Sequence, residues 1–447
     1  MENDHDMTPP PSTRRDSDVR MRGFASRALV AEALAWVDAQ AQPLEREIAL
    51  LDAACGRVLA AELVAGIDVP GFDRAAMDGY ALRAAETTGA GEYNPLAFRL
   101  VGESLPGRPF DRDVDPGEAV RIMTGAPLPN GTDAVVPAEY ASERSSTVDH
   151  HSSSITPRLS TFNPRPSSSV EITAPVSPGK HVGRRGEDIA AGARLLAAGR
   201  RLRPQDIGLA ASVGLDRLEV VRPPRVRLLA TGNELAVPGG PRGPHEIYDS
   251  NTSMLAALVE RDGGGVVERL RVEDSRDAVR AALLAAGADV VLVSGGSSVG
   301  AEDHAPSLVA ELGKLAIHGV AMRPSSPTGM GRLGEALVFL LPGNPVSCLC
   351  AYDFFAGRAI RRMGGRSADW PYPRIEAEVG RKIVSAIGRV DYCRVALREG
   401  KVEPLAVAGA SILSSTTRAD GFVIVPEERE GHAPGSRVTV LLYDAGL

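Results

Sequence analysis

The fold of this chain is decided by three segments, RVRLLATGNEL (225–235), ADVVLVSGGSSVGAED (288–303) and ALVFLLPGNPVS (336–347). Each begins with a short apolar run and passes directly into Gly, Ser, Asn or Glu. Segments with helical periodicity separate them, which predicts strands alternating with helices in a parallel α/β sheet. Because open α/β sheets bind ligands beyond the carboxyl ends of their strands, we expect a binding site in the loops that follow these runs.

The rest of the chain shows three other sequence patterns. Residues 26–64 place apolar residues at helical spacing, with one shift into an extended segment. Residues 70–178 and 370–447 carry short apolar runs separated by Gly, Pro and Asn-Gly turns, which predicts two β-rich regions. Within the first of these, residues 142–169 are dominated by Ser, Thr and Pro, which predicts a mobile loop. The polar residues 1–24 predict a disordered tail.

Composition excludes several classes of protein. The chain has 447 residues with 50 basic and 57 acidic side chains, so its net charge of −7 lacks the positive field of a nucleic-acid-binding protein. It contains no apolar run of about 18 residues, and its polar start is unlike a signal peptide. The four cysteines form no CxxC pair, which argues against a zinc site. We therefore expect a cytoplasmic protein of several domains that binds neither nucleic acid nor a membrane.

The strongest candidate site from the residues alone is the loop of Gly295, Gly296, Ser297, Ser298 and Gly300. It leads from a strand towards a helix, so its backbone amides and two hydroxyls can surround an anion at a helix N-terminus. The loop matches neither GxxxxGKS nor GxGxxG, so ATP hydrolysis and NAD binding are not indicated.

Acidic and polar residues follow the same strands. Glu234, Asp274 and Asp303 each lie at or near a loop after a strand, and oxygen ligands of this kind suit Mg²⁺. Asn344 and Ser347 stand at the start of the next helix as hydrogen-bond donors.

Outside the α/β region the chemical signals are weaker. Asp78 lies in an Asp-Gly turn, Thr124 follows an apolar strand, and Asp188 lies beside two arginines in RRGEDI (184–189). Taken alone, each fits an ordinary turn or a surface charge cluster better than a site.

Seven segments in chain order resemble the molybdopterin molybdenumtransferase family, which includes MoeA and the gephyrin E domain. They are FDRAAMDGYA (72–81), RIMTGAPLPNGTDAVVPAE (121–139), RRGEDI (184–189), TGNEL (231–235), IYDSN (247–251), SGGSSVGAED (294–303) and LPGNPVS (341–347). The resemblance extends from about Arg27 to Leu447.

The resemblance implies an elongated, multidomain α/β plus β architecture. A helical scaffold would comprise residues 25–68 and 179–221, and a β-rich domain would be inserted at 69–178. A three-layer α/β domain that binds molybdopterin would span 222–365, and a C-terminal β domain would span 366–447.

The implied activity is insertion of molybdate into adenylated molybdopterin, with release of AMP in a Mg²⁺-dependent step. Matched position by position, the family's functional set falls on Asp78, Thr124, Asp188, Glu234, Asp274 and Asp303, the last three as metal ligands. The SGGSSVG loop corresponds to the cradle for the pterin phosphate, with Arg323, Asn344 and Ser347 as further cofactor-binding residues. The cleft is expected to form between the subunits of a homodimer, and a molybdopterin adenylyltransferase and molybdoenzymes are the expected protein partners.

The chain departs from the family pattern at a few positions. Asn233 replaces the Asp of TGDE, and Gly319 and Ser326 replace two lysines of the K-x-A-x-K-P-G-K-P stretch, while Arg323 takes the place of the third. Arginine is not a simple equivalent of lysine. Two alternatives to the transferase therefore stay open: a catalytically weakened paralogue that carries molybdopterin or acts as a scaffold, and a molybdopterin adenylyltransferase.

Overall fold

The computed structural model describes residues 27–144, 168–296, 303–406 and 409–444. The tail 1–24 and most of the predicted loop 142–169 lie outside these ranges, but the two ends of that loop belong to strands that pair antiparallel. The described chain forms two compact units. The first falls within Met1–Ala49, Gly56–Ala60 and Glu219–Leu447, and the second within Leu50–Cys55 and Ala61–Leu218.

The first unit contains a six-stranded sheet, which we call the central sheet. In spatial order its strands are Gly265–Val272, Arg225–Thr231, Val290–Ser294, Ala336–Leu341, Gly329–Leu333 and Lys314–His318. The first four strands run parallel, as the alternating apolar runs predict.

The central sheet is nevertheless mixed, and the prediction of an all-parallel sheet is wrong at one edge. Gly329–Leu333 pairs antiparallel with both of its neighbours. Between Leu333 and Ala336 the chain reverses through Gly334, whose φ is 57°. Glycine adopts this left-handed conformation readily, so a short turn joins the two neighbouring strands in antiparallel orientation.

Helices cover both faces of the central sheet, which gives the predicted three layers. On one face the core includes residues of Val30–Gln40, Asn251–Arg261 and the continuous helical stretch Pro345–Ala351, Tyr352–Ala356 and Gly357–Met363. On the other face it includes residues of Arg276–Leu284 and His304–Leu312. Among the described helices, none is both long and apolar enough to cross a bilayer.

The second unit contains a β-rich region, as predicted. Its six-stranded mixed sheet has the order Ala134–Pro137, Gly79–Leu82, Glu118–Ile122, Leu96–Ser104, Ser169–Ile172 and Ala141–Arg144. Within the described part of this sheet, the strands Glu118–Ile122 and Leu96–Ser104 pair in parallel, and the other neighbouring strands pair antiparallel.

The C-terminal region of the first unit is a closed barrel of five strands. Around the barrel these are Val390–Arg398, Lys401–Ala406, Arg374–Val379, Arg437–Leu442 and Gly421–Val425. Antiparallel pairing of Val390–Arg398 with Gly421–Val425 closes it. Met322–Arg323 adds to it as a short parallel strand, so the chain of the α/β region is tied directly to the barrel.

Shorter elements complete the described chain. Two-stranded pairs are formed by Arg46–Leu50 with Arg217–Val221, Leu63–Val64 with Arg194–Leu196, Arg74–Ala75 with Val182–Gly183, Leu235–Ala236 with Ile247–Tyr248, and Ile383–Val384 with Gly431–His432. Short helices are Leu51–Ala54, Ala84–Thr87, Ala138–Tyr140, Pro204–Ser212 and Ser414–Thr417.

The helical prediction for residues 47–63 is wrong over most of its length, since only one helical turn forms there. The apolar spacing of this segment fits both the helical and the strand period. Backbone pairing with Arg217–Val221 selects the extended form over residues 46–50.

Phe422 is the residue on which we expect barrel stability to depend most. Its ring is fully buried and stacks on that of Tyr392, with the ring centroids 4.1 Å apart. Phe422→Ala should lower the free energy of unfolding by about 3–5 kcal/mol, because it leaves a cavity. Tyr93→Ala is the control, since that side chain is fully exposed and its loss should change stability by less than about 0.5 kcal/mol. Equal urea midpoints for the two variants would contradict the assignment.

Candidate functional site

A cleft of about 750 Å³ lies beyond the carboxyl ends of the parallel strands of the central sheet. This is the position expected from the sequence. The structure brings six of the predicted site residues to its walls: Glu234, Asp274, Gly295, Gly296, Asp303 and Asn344. They come from loops far apart in the chain, and the parallel sheet is what brings these loops together.

The glycines of the cleft are required by a close approach of backbones. Gly295 and Gly296 have φ values of 90° and 56°. A Cβ atom added at Gly295 would lie 2.4 Å from the carbonyl oxygen of Thr231, and one at Gly296 would lie 2.8 Å from Thr231 Oγ1. A side chain here would therefore push this loop away from the neighbouring strand. The predicted loop residues Ser297, Ser298 and Gly300 lie outside the described residues.

Asn233 and Asp274 hold each other in place at the edge of the cleft. The backbone N–H of Asn233 donates to Asp274 Oδ2 at 3.1 Å, and the backbone N–H of Asp274 donates to Asn233 Oδ1 at 3.2 Å. An aspartate at position 233 could accept the same hydrogen bond, but it would add a negative charge beside Asp274. The asparagine thus keeps the loop geometry and removes this repulsion.

The three predicted metal ligands do not form a metal cage. In the described part of the chain, no three His, Cys, Asp or Glu side chains come together closely enough to hold a metal ion. The carboxylate of Asp274 is engaged by Asn233, and that of Glu234 turns back towards Gly232, where its Oε2 would lie 2.7 Å from an added Cβ. Glu234, Asp274 and Asp303 nevertheless share one cleft, and their assignment as metal ligands stays a prediction.

In the second unit the structure joins Asp78 and Thr124. The backbone N–H and the hydroxyl of Thr124 both donate to Asp78 Oδ1, each at 2.7 Å. The backbone hydrogen bond and then the hydroxyl hydrogen bond lower the pKa of Asp78, since both favour its charged form. The Asp-Gly turn, which the sequence alone predicts to be an ordinary turn, thus carries an ionised, exposed carboxylate in a fixed orientation.

The RRGEDI segment is held by ion pairs within the second unit. Arg184 Nη1 donates to Asp73 Oδ2 at 2.7 Å, and Arg185 Nε donates to Asp68 Oδ2 at 2.6 Å. Asp188 follows on the same segment, with its side chain exposed and its backbone N–H donating to the carbonyl of Val69. The two arginines therefore fix the loop that presents Asp188.

Arg323 and Ser347, predicted as cofactor-binding residues, do not line the cleft. Arg323 forms an ion pair with the fully buried Asp391 of the barrel and lines a different cavity, of about 710 Å³. Ser347 is buried on its helix, and its carbonyl oxygen accepts a hydrogen bond from Ser325 Oγ at 2.6 Å. These residues join segments of the first unit.

Several cleft residues were missed by the sequence reasoning. They are Thr231, Asp249, Asn251, Ser294, Pro327, Ser411 and Leu413. IYDSN (247–251) is one of the segments that resemble the family, but its residue types alone indicate no role. Thr231 and Ser294 are the last residues of their strands, a position that is typical of ligand-binding residues in open α/β sheets. Ser411 and Leu413 arrive from the C-terminal region, which no local pattern predicts.

Comparison with known proteins accounts for this architecture. Three family models match the chain: the MoeA N-terminal region (domain I and II) at residues 29–214, a probable molybdopterin binding domain at 227–362, and the MoeA C-terminal region (domain IV) at 376–443. Two solved structures of the molybdopterin biosynthesis MoeA protein from Pyrococcus horikoshii have TM-scores of 0.75 and 0.70, at 31% and 28% identity. Each alignment covers 94% of this chain and 100% of the other.

Relatives of similar length support the same grouping. Molybdopterin molybdenumtransferase 2 of Mycobacterium tuberculosis is 35% identical over 401 residues, which cover 87% of this chain and 93% of that protein. Molybdopterin molybdenumtransferase of Haemophilus influenzae is 30% identical over 406 residues, which cover 89% of this chain and 94% of that protein. With matches of this extent and with the fold shared, the chain belongs to the molybdopterin molybdenumtransferase (MoeA) family.

Proposed function

We propose that this protein is a molybdopterin molybdenumtransferase, which inserts molybdate into adenylated molybdopterin and releases AMP. The observation that carries the proposal is the cleft at the strand ends, in a region matching a probable molybdopterin binding domain, with a glycine loop beside four acidic residues. The names of the relatives favour this activity over an adenylyltransferase or a scaffold without activity.

The residues of the cleft suit hydrolysis of an adenylate. Gly295 and Gly296 carry no side chain, so a ligand can approach the backbone of this loop closely. The amide of Gly295 donates to the carbonyl of Leu341 at 3.1 Å, and in this proposal the amide of Gly296 binds an oxyanion. Asp303 lies at the start of a helix in the same cleft, and in this proposal its carboxylate accepts a proton from the attacking water. The water oxygen then bonds to the adenylate phosphorus, and the phosphoanhydride bond breaks with the molybdopterin phosphate as the leaving group. AMP, which now carries the water oxygen, is released.

The other expectations from the family are part of the proposal. These are a cytoplasmic homodimer whose cleft is completed by the second subunit, a requirement for Mg²⁺, and contacts with a molybdopterin adenylyltransferase and molybdoenzymes. The assignment of Asp78, Thr124 and Asp188 to the reaction and the domain boundaries given above belong to it as well. Mg²⁺ commonly binds one or two carboxylates together with substrate phosphates and water. The open arrangement of Glu234, Asp274 and Asp303 is compatible with that mode.

The proposal is tested with purified protein, adenylated molybdopterin, molybdate and Mg²⁺. We expect release of AMP and reconstitution of a cofactor-free molybdoenzyme. Asp303→Asn should reduce the rate of AMP release by about 10²-fold or more, because it removes the proton acceptor. Asp277→Asn is the matched control, since Asp277 is exposed on the helix Arg276–Leu284 and does not line the cleft. Substrate binding without either product would reject the transferase and favour a carrier.

Mg²⁺ alone should not stabilise the protein. Since the described carboxylates form no cage, we expect the thermal midpoint to stay unchanged on addition of Mg²⁺ and to rise when Mg²⁺ and adenylated molybdopterin are added together. Differential scanning fluorimetry measures both. A large rise in the midpoint with Mg²⁺ alone would contradict the open site.

The ionisation of Asp78 gives a prediction of its own. Thr124→Val removes the hydroxyl hydrogen bond and keeps the backbone one, so the pKa of Asp78 should rise but stay below its ordinary value. Because the folded-state pKa is lowered, Asp78 contributes stability above its unfolded-state pKa and loses that contribution as the pH falls through the folded-state pKa. This loss should occur at a higher pH in Thr124→Val.

Carboxyl ¹³C NMR titration measures this pKa directly. Thr88→Val is the control, because the hydroxyl of Thr88 donates to the carbonyl of Ala85 and should leave Asp78 unaffected. An unchanged Asp78 pKa in Thr124→Val would show that the hydroxyl does not stabilise the carboxylate.

A further inference from the structure

Asn251 joins the ends of two central strands at the floor of the cleft. It is the first residue of the helix Asn251–Arg261, and its Nδ2 donates to Ser294 Oγ at 2.8 Å and to the carbonyl oxygen of Gly343 at 2.7 Å. A backbone carbonyl can only accept, so the orientation of the amide group is determined. Its nitrogen binds the strand ends, and its oxygen is left for another donor.

The position of Asn251 is fixed by Asp249, two residues before it in the chain. Asp249 is buried, and its Oδ1 accepts a hydrogen bond from the backbone N–H of Thr252 at 3.0 Å, while the Thr252 hydroxyl also donates to its carboxylate. These bonds hold the first turn of the helix. Asn251 therefore presents its side chain from a rigid support.

Two buried polar atoms in the cleft have no partner within the described ranges. They are Asn251 Oδ1 and Thr231 Oγ1, and their residues are 8% and 6% exposed. A buried polar atom without a hydrogen bond destabilises the folded state, so native proteins rarely keep one without a use. Other buried atoms of this kind occur in the described chain, but these two belong to residues that line the cleft.

The chemistry of the two atoms restricts what they can bind. An amide oxygen accepts and cannot donate, so Asn251 Oδ1 would repel the oxygens of phosphate or molybdate. A hydroxyl both donates and accepts, so Thr231 can bind either kind of group. Together they fit a ligand edge that carries an N–H donor, which the heterocycle of a pterin provides. Both residues lie in the region 227–362 that matches a probable molybdopterin binding domain.

We propose that Asn251 Oδ1 and Thr231 Oγ1 bind the polar edge of the pterin ring and so act as specificity-determining residues. This inference rests on the proposed function, since that function supplies the pterin. The competing N–H donor in the same substrate is the amino group of adenine, and the test below separates the two.

The test compares molybdopterin and AMP as separate ligands in calorimetric titrations of the purified wild-type protein and of three variants. Thr231→Val keeps the shape of the side chain and removes its hydroxyl. The dissociation constant for molybdopterin should rise about 3- to 10-fold, with AMP binding unchanged. The thermal midpoint should stay the same or rise, because no described group loses a hydrogen bond. In turnover, KM for adenylated molybdopterin should rise with little change in kcat.

Thr328→Val is the matched control, since Thr328 is also buried but its hydroxyl donates to the carbonyl of Ser325 at 2.7 Å. It should lower the thermal midpoint and leave molybdopterin binding unchanged. Asn251→Leu should lower both the thermal midpoint and the molybdopterin affinity, because it removes the strand-end hydrogen bonds as well as the acceptor.

Each other outcome overturns the inference in a recognisable way. Equal molybdopterin binding by wild type and Thr231→Val would reject it and leave the proposed function intact. A loss of AMP binding in Thr231→Val would assign the edge to adenine, and a lowered thermal midpoint would show that the hydroxyl has a structural partner. Failure of the wild-type protein to bind molybdopterin would reject the proposed function and this inference with it.

Discussion

The cleft depends on how closely three backbones approach one another at the edge of the central sheet. Gly295 and Gly296 lie against Thr231, and an added Cβ at Gly343 would be 3.5 Å from Gly295 Cα. Asn251 then joins the ends of two strands through a single amide group. Because the loops are held by backbone contacts, their polar side chains remain available for a ligand, and the sheet sets the spacing among them.

A buried carboxylate links the barrel to the α/β region. Asp391 lies on a barrel strand and accepts hydrogen bonds from Arg323, from Ser385 Oγ at 2.8 Å and from Arg389 Nε at 3.1 Å. A charge buried this deeply is tolerated only when it is paired and hydrogen-bonded. Ser325, two residues beyond Arg323, has a φ of 92° and donates its hydroxyl to the carbonyl of Ser347. The strip that lacks two of the family's lysines is thus an ordered junction within the first unit.

The sequence was informative where a local pattern determines the outcome. Alternating apolar runs predicted the four parallel strands and their helices, and the position of Glu234, Asp274 and Asn344 after strands predicted their meeting at one cleft. The sequence did not predict features that depend on contacts between distant segments. The chain reverses between two strands at Gly334, Arg323 forms an ion pair with Asp391 of the barrel, and Ser411 lines the cleft from another region. No spacing rule contains such contacts, since each depends on packing between parts of the chain far apart in sequence.

The cysteines differ sharply in their surroundings, and this has a practical consequence. Cys55 is exposed, whereas Cys348, Cys350 and Cys393 are buried. Burial raises the pKa of Cys348, which lies 3.9 Å from Ser294 Oγ beneath the cleft, to about 12, and it raises that of Cys393 to about 12 as well. Thiol reagents attack the thiolate, so they are directed to Cys55. The native chain therefore accepts a fluorophore or spin label at one site of the second unit, with no cysteine to be removed by mutagenesis.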